Sequence, residues 1–108
     1  MSNDSQSAQL ARARAAFERI PYCQHVGMRL TEVMPGWGMM TLPYSPRLIG
    51  DPRNGVVHGG AITALLDTLC GVVVIASIPD GQDVATLDLR IDYLHPATPG
   101  LDIRASAE

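Results

Sequence analysis

The residues of this chain whose types and spacing could do chemistry are Asp67 and the run His58-Gly59-Gly60. Asp67 is the only charged side chain between Arg53 and Asp80, and it lies within the apolar stretch Ala61-Ile62-Thr63-Ala64-Leu65-Leu66-Asp67-Thr68-Leu69-Cys70. A carboxylate in such a setting must be paired, hydrogen-bonded or protonated, because a lone charge in low dielectric is strongly unfavourable. Proteins rarely keep one without a use for it. The plain alternative is a partly exposed Asp on an otherwise buried helix. His58-Gly59-Gly60 reads as the opening of that helix. A helix N-terminus offers unpaired N–H groups and the positive end of the dipole, and glycines there let a ligand approach the backbone. Gly59 and Gly60 could therefore polarise a carbonyl oxygen as an oxyanion hole does, or could simply let the helix pack tightly.

Spacing adds a constraint. Nine residues of α-helix turn about 900° and rise about 13 Å, so His58 and Asp67 lie on opposite faces. One helix cannot bring Asp67 to its own Gly59 amide. The chain has only one suitable helix, so a site using both groups implies a two-fold dimer with two shared sites.

The elements that position these groups are legible from periodicity. Residues 1–6 are polar and expected to fray, leaving residues 7–108 as one domain. Across 7–20, Leu10, Ala13, Phe17 and Ile20 recur at helical spacing, and Pro21 ends the pattern. Residues 28–34 and 37–42 read as strands joined by Pro35-Gly36. A loop over 45–57 leads into the helix at about 58–77, which should be buried on nearly all sides. Its β-branched end, Val72-Val73-Val74-Ile75, could be a strand by propensity, but continuity keeps it helical. After a turn at Pro79-Asp80-Gly81, residues 84–94 alternate. Ala85, Leu87, Leu89, Ile91 and Tyr93 share one side; Thr86, Asp88, Arg90 and Asp92 share the other. A further strand spans 101–107. The class is α+β, antiparallel strands around one long hydrophobic helix.

Composition narrows the function. The chain has 108 residues, 46% hydrophobic and 18% charged, which suits one small globular domain. Its net charge of -3 and lack of Lys argue against nucleic acid as a partner. Cys23 and Cys70 form no metal spacing and are expected as free thiols in a reducing cytosol. The N-terminus carries no continuous apolar segment of a secretory signal. The long apolar helix carries Asp67 and lacks anchors, so no membrane partner is expected. His25 and His95 fall in loop-like positions, while Trp37, Met39 and Met40 read as core fillers. No Walker loop, Rossmann fingerprint or metal cluster is present in the sequence, so neither cofactor nor metal is expected.

The string Asn54-Gly55-Val56-Val57-His58-Gly59-Gly60, then Asp67, then Asp92-Tyr93-Leu94-His95-Pro96, resembles the hotdog-fold acyl-CoA thioesterases, most of all the phenylacetate-degradation group. The resemblance covers about residues 22–108. It implies a hotdog fold, an antiparallel sheet wrapped around a long central helix. It also implies a homodimer or dimer of dimers, an acyl-CoA substrate, and hydrolysis to a carboxylic acid and coenzyme A. By position, Asp67 would be the general base or nucleophile. The Gly59 amide would hold the thioester oxygen with Gly60 close by, and His58 would orient the thioester or the loop. Thr86 matches a Ser or Thr that positions water, although strict alternation turns it away from Leu87 and Leu89. Asn54 and Val57 would lie beside the substrate.

Two departures stand out. Where many members carry an Asn six residues before the histidine, this chain has Pro52; Asn54 takes that role by another loop path, or the role is absent. The family also continues past 101–107 with two strands that lie in the middle of its sheet, so the natural chain is expected to run on for roughly 30 residues. The rival readings are a hotdog domain that binds acyl-CoA without hydrolysing it, and a hotdog dehydratase or hydratase.

Overall fold

The computed structural model describes residues 3–79, 82 and 84–108. Helix α1 spans Asn3–Glu18 and so begins inside the stretch expected to fray; no proline or glycine interrupts it. Pro21 does more than stop α1. It opens a second short helix, α2 (Pro21–Val26), at the first position, where its missing N–H is no loss. α2 ends on Gly27, whose left-handed backbone (φ 85°) returns its N–H to Cys23 and Gln24 carbonyls.

Strands β1 (Arg29–Met34) and β2 (Trp37–Leu42) form the hairpin expected around Pro35-Gly36, with a register shift between Leu30 and Glu32. The loop that follows is more ordered than its sequence suggested. A 3₁₀ turn (Pro46–Leu48) leads into a two-stranded ribbon, β3 (Ile49–Asp51) with β4 (Val56–Val57). The long helix, α3, spans Gly59–Ser77 with His58 as its N-cap, and Val72–Ile75 stay helical. β5 (Ile103–Ala107) pairs antiparallel with β2, matching Met40 to Ala105 and giving the order β1-β2-β5.

α3 lies so close to the sheet that a Cβ on Gly38 of β2 would sit 2.8 Å from the Val73 Cγ2. Around that contact Met40, Leu42, Leu65, Leu69 and Cys23 are fully buried. Ala13 and Phe17 of α1 close the other flank. α1 also completes the C-terminal end of α3, where the last carbonyls have no helical donors. The Gln9 amide donates to the Ile78 carbonyl at 2.9 Å, and the Arg12 guanidinium to those of Ile75 and Ile78 at 3.1 and 2.7 Å.

Two expectations need correction. α3 buries one face only, through Ala61, Leu65, Leu69, Val72, Val73 and Ala76, because one sheet and one helix cover a single flank. Cys70 and Val74 on the other side are exposed. α3 is long and apolar enough to cross a membrane, but that buried face makes it the central helix of this fold. Residues 84–94, expected as a half-buried strand, form none. Among the described residues no strand lies beside them, so their alternation has no ladder to set it. Leu87 is 99% and Leu94 82% exposed. The segment instead runs beside α3, meeting it at Asp67 through Thr86 and at Gly59 through Tyr93. Of the expected turn after α3, Asp80 and Gly81 lie outside the described residues.

Candidate active site

Asp67 stands just past the second turn of α3, half-buried rather than enclosed. Its Oδ1 accepts a 2.7 Å hydrogen bond from the Thr86 hydroxyl. Because residues 84–94 are not pleated, alternation does not dictate where Thr86 points, and it turns onto the carboxylate. The pair opens on a cleft of about 760 Å³ between α1, α3 and residues 84–89, walled by Phe17, Ile20, Val74 and Leu89 among others. A carboxylate oriented by a hydroxyl beside apolar walls can accept a proton from water or attack an electrophilic carbon.

The other half of the site is the first turn of α3. The His58 N–H donates to the Leu48 carbonyl at 2.7 Å, and the His58 carbonyl accepts from the Ala61 N–H at 3.0 Å. Its imidazole Nδ1 accepts the Gly60 N–H at 2.8 Å, so in the neutral ring the proton is on Nε2. Two close approaches need glycine here. A Cβ on Gly60 would lie 2.9 Å from His58 Nδ1, and one on Gly50 would lie 2.9 Å from the His58 Cα. Gly60 was expected beside the thioester oxygen, but the His58 cap takes its N–H. Among the described residues nothing accepts the Gly59 N–H. That amide is the donor left at the positive end of the helix.

Asn54 and Val57 do not join either half. The Asn54 side-chain oxygen accepts the Val56 N–H at 3.0 Å, shaping the turn between β3 and β4. That turn is tied further by the Asp51–Arg53 ion pair at 3.0 Å, which holds the Asp51 carboxyl below its usual range. Val57 pairs with Ile49 and is 4% exposed, so its side chain belongs to the core. His25 and His95 are exposed, and Met40 is a core residue. Cys23 and Cys70 are free thiols, Cys23 buried against the Thr68 hydroxyl and Cys70 exposed along the cleft.

The two halves face different spaces. Asp67 and Thr86 line the larger cleft, while His58 and Gly60 line a separate hollow of about 390 Å³ with Tyr22, Arg47 and Ile49. Among the described residues none lines both. The residue that sequence reasoning missed is Tyr93. Its hydroxyl donates to the Gly59 carbonyl at 2.9 Å and touches the Thr63 hydroxyl. Its only signal in the sequence was an aromatic hydroxyl in Asp92-Tyr93-Leu94-His95-Pro96, where alternation made it one more inward-facing apolar position.

Residues 54–108, which carry the glycine-opened helix, Asp67, Thr86 and Tyr93, match the family described as the thioesterase superfamily. The chain belongs to that superfamily. Its antiparallel sheet against a long central helix, with a helix before it, is the hotdog fold. A Pseudomonas aeruginosa protein of known crystal structure is 45% identical, with a TM-score of 0.76 over 89% of this chain and 71% of that one. The Escherichia coli PaaI protein of the phenylacetic acid degradation operon superposes with a TM-score of 0.79 over 94% of this chain and 71% of its own, and at 20% identity it shares the fold. The medium/long-chain acyl-CoA thioesterase YigI of Escherichia coli is 26% identical over 90 residues, 71% of this chain and 58% of its own. The chain spans 54% to 58% of the length of the curated relatives it matches.

Proposed function

We propose that this chain is a cytoplasmic acyl-CoA thioesterase, hydrolysing a thioester to a carboxylic acid and coenzyme A. The observation that carries the reading is the Asp67 carboxylate held by the Thr86 hydroxyl at the rim of an apolar cleft. With Oδ1 engaged by Thr86, the second oxygen is the one to take a proton from water as it attacks the thioester carbon, or to attack that carbon itself. Negative charge then collects on the carbonyl oxygen. The Gly59 N–H, at the positive end of α3, is the donor for it, and such a donor lowers the barrier by roughly 3 kcal/mol. Collapse of the tetrahedral species breaks the C–S bond. In the first route the thiolate takes up the proton held by Asp67 and leaves as coenzyme A; in the second, the thiolate leaves first, and water then hydrolyses the acyl–Asp67 anhydride, freeing the carboxylic acid and supplying the proton. His58 serves by capping Gly60, which fixes the turn presenting Gly59.

The site is shared between two copies of the chain. Gly59 and Asp67 are eight residues apart on one helix, about 12 Å along its axis. Asp67 opens on the larger cleft, while the helix start borders the other hollow, and the exposed side of α3 is where a second copy would bring its own helix. The walls Phe17, Ile20, Val74 and Leu89 suit an apolar acyl chain, in keeping with the name that YigI bears. The free thiols Cys23 and Cys70 suit a reducing compartment.

Thiol release from a panel of short, long and aromatic acyl-CoAs tests the reading. The parent protein should turn over at least one class, and Asp67→Asn should lower kcat by about 10²-fold or more while remaining folded. Saturable acyl-CoA binding without thiol release would replace hydrolysis by simple binding. An Asp67→Asn variant within about threefold of the parent would remove Asp67 from the chemistry.

A further inference from the structure

Gly59 and Gly60 make the first turn of α3 the softest part of a helix whose one free N–H matters to the proposed reaction. Two adjacent glycines lack the Cβ that restricts backbone angles, so their orientation must be imposed from outside. The Gly59–Gly60 peptide is gripped at both ends. Its N–H is taken by His58 Nδ1 at 2.8 Å. Its carbonyl receives the Tyr93 hydroxyl at 2.9 Å and the Thr63 hydroxyl at 3.1 Å, and the two hydroxyls touch each other. The Tyr93 ring also lies along Gly59, with Cε1, Cζ and the hydroxyl each 3.5 Å from where a Cβ would be.

Thr63 belongs to α3 itself, so it cannot orient the turn relative to anything outside the helix. Tyr93 can, because it comes from a segment that also carries the Asp67 partner Thr86. We infer that Tyr93 is a positioning residue for the thioester reaction: through the Gly59 carbonyl it fixes the turn that aims the Gly59 N–H at the developing oxyanion. The inference rests on the thioesterase reading and adds a residue to it. An oxyanion donor acts mainly on the transition state, so its misalignment lowers kcat more than it raises KM.

The variant Tyr93→Phe removes the hydroxyl and keeps the ring. It should lower kcat by about tenfold with KM within about twofold and an unchanged melting temperature, a fraction of the loss expected when a donor is removed outright. Because the two hydroxyls share one carbonyl, Tyr93→Phe combined with Thr63→Val should cost less than the product of the single effects. A second measurement does not depend on turnover. In ¹H–¹⁵N spectra of the whole chain, Tyr93→Phe should shift the Gly59 and Gly60 amide signals, and the Gly60 amide, held by His58 Nδ1, should exchange faster. If the signals and that rate are unchanged, or if a hydrolytically active parent loses less than twofold in kcat, Tyr93 has no positioning role. A parent inactive on every thioester would instead overturn the thioesterase reading, with the amide measurement still deciding whether Tyr93 holds the turn.

Discussion

The Thr86 hydroxyl donates a 2.7 Å hydrogen bond to the Asp67 carboxylate across nineteen residues of chain. This contact ties residues 84–94 to the central helix at the point where the helix carries its single charge. A bond from a hydroxyl to a carboxylate restricts its rotation. One oxygen of Asp67 is thereby held by Thr86, and the residue lines the cleft.

Replacing Thr86 by Val should remove that restraint at nearly constant volume. We expect kcat to fall about tenfold while acyl-CoA affinity changes little, since the hydroxyl orients the base without filling the acyl cleft. Thr86→Ser keeps the hydroxyl and should retain activity within about threefold. Steady-state kinetics on the best thioester separate the two cases. Full activity in Thr86→Val with loss in Thr86→Ser would mean that the methyl group, not the hydroxyl, matters.

Much of this site was legible before the structure, for identifiable reasons. Asp67 stood out because charge is rare in apolar sequence, and His58-Gly59-Gly60 because capping and glycine signals are local. The hairpin at Pro35-Gly36 and the helix through Val72–Ile75 followed from turn chemistry and continuity. What failed depends on neighbours. Whether residues 84–94 form a strand depends on a partner strand, and none of the described residues supplies one. The exposed side of α3 depends on what covers it, which its own periodicity cannot state. Val57 resembled a site residue by its place in a motif, yet its side chain is set by the β3–β4 pairing and falls in the core. Tyr93 was hidden because alternation describes apolar faces, not where a phenol hydroxyl finds an acceptor.

The shared-site proposal makes a sharp prediction about mixtures. Gly59→Val should block the oxyanion position by bulk, and Asp67→Ala should remove the base, so each variant alone should be inactive. Heterodimers combine one doubly altered site with one intact site. Random mixing makes about half the dimers mixed, so about a quarter of parental activity should return. Co-refolding tagged variants and assaying the mixture checks this, and mixed dimers isolated from it should carry about half of parental activity. Inactive mixed dimers, or an active species that sediments as a monomer, would place both groups within one chain.

The last prediction concerns Cys23, which is fully buried beside the Thr68 hydroxyl at 3.7 Å. Burial pushes its thiol pKa up, outweighing the opposing pull of the Thr68 hydroxyl. The folded chain thus prefers the neutral thiol more than the unfolded chain does. That contribution to stability is fully present below the ordinary thiol pKa, about 8.5, and is lost as pH rises through the higher folded value. Urea unfolding should therefore show a midpoint that falls above about pH 9, and Cys23→Ala should fall less steeply although it starts lower through its cavity. Alkylation gives an independent reading. At pH 8 the native protein should leave Cys23 unmodified by iodoacetamide for as long as it stays folded, and denaturant should expose it at once. Rapid modification of Cys23 in the native state would mean that the packing between α2 and α3 opens readily, and that burial does not set this thiol's chemistry.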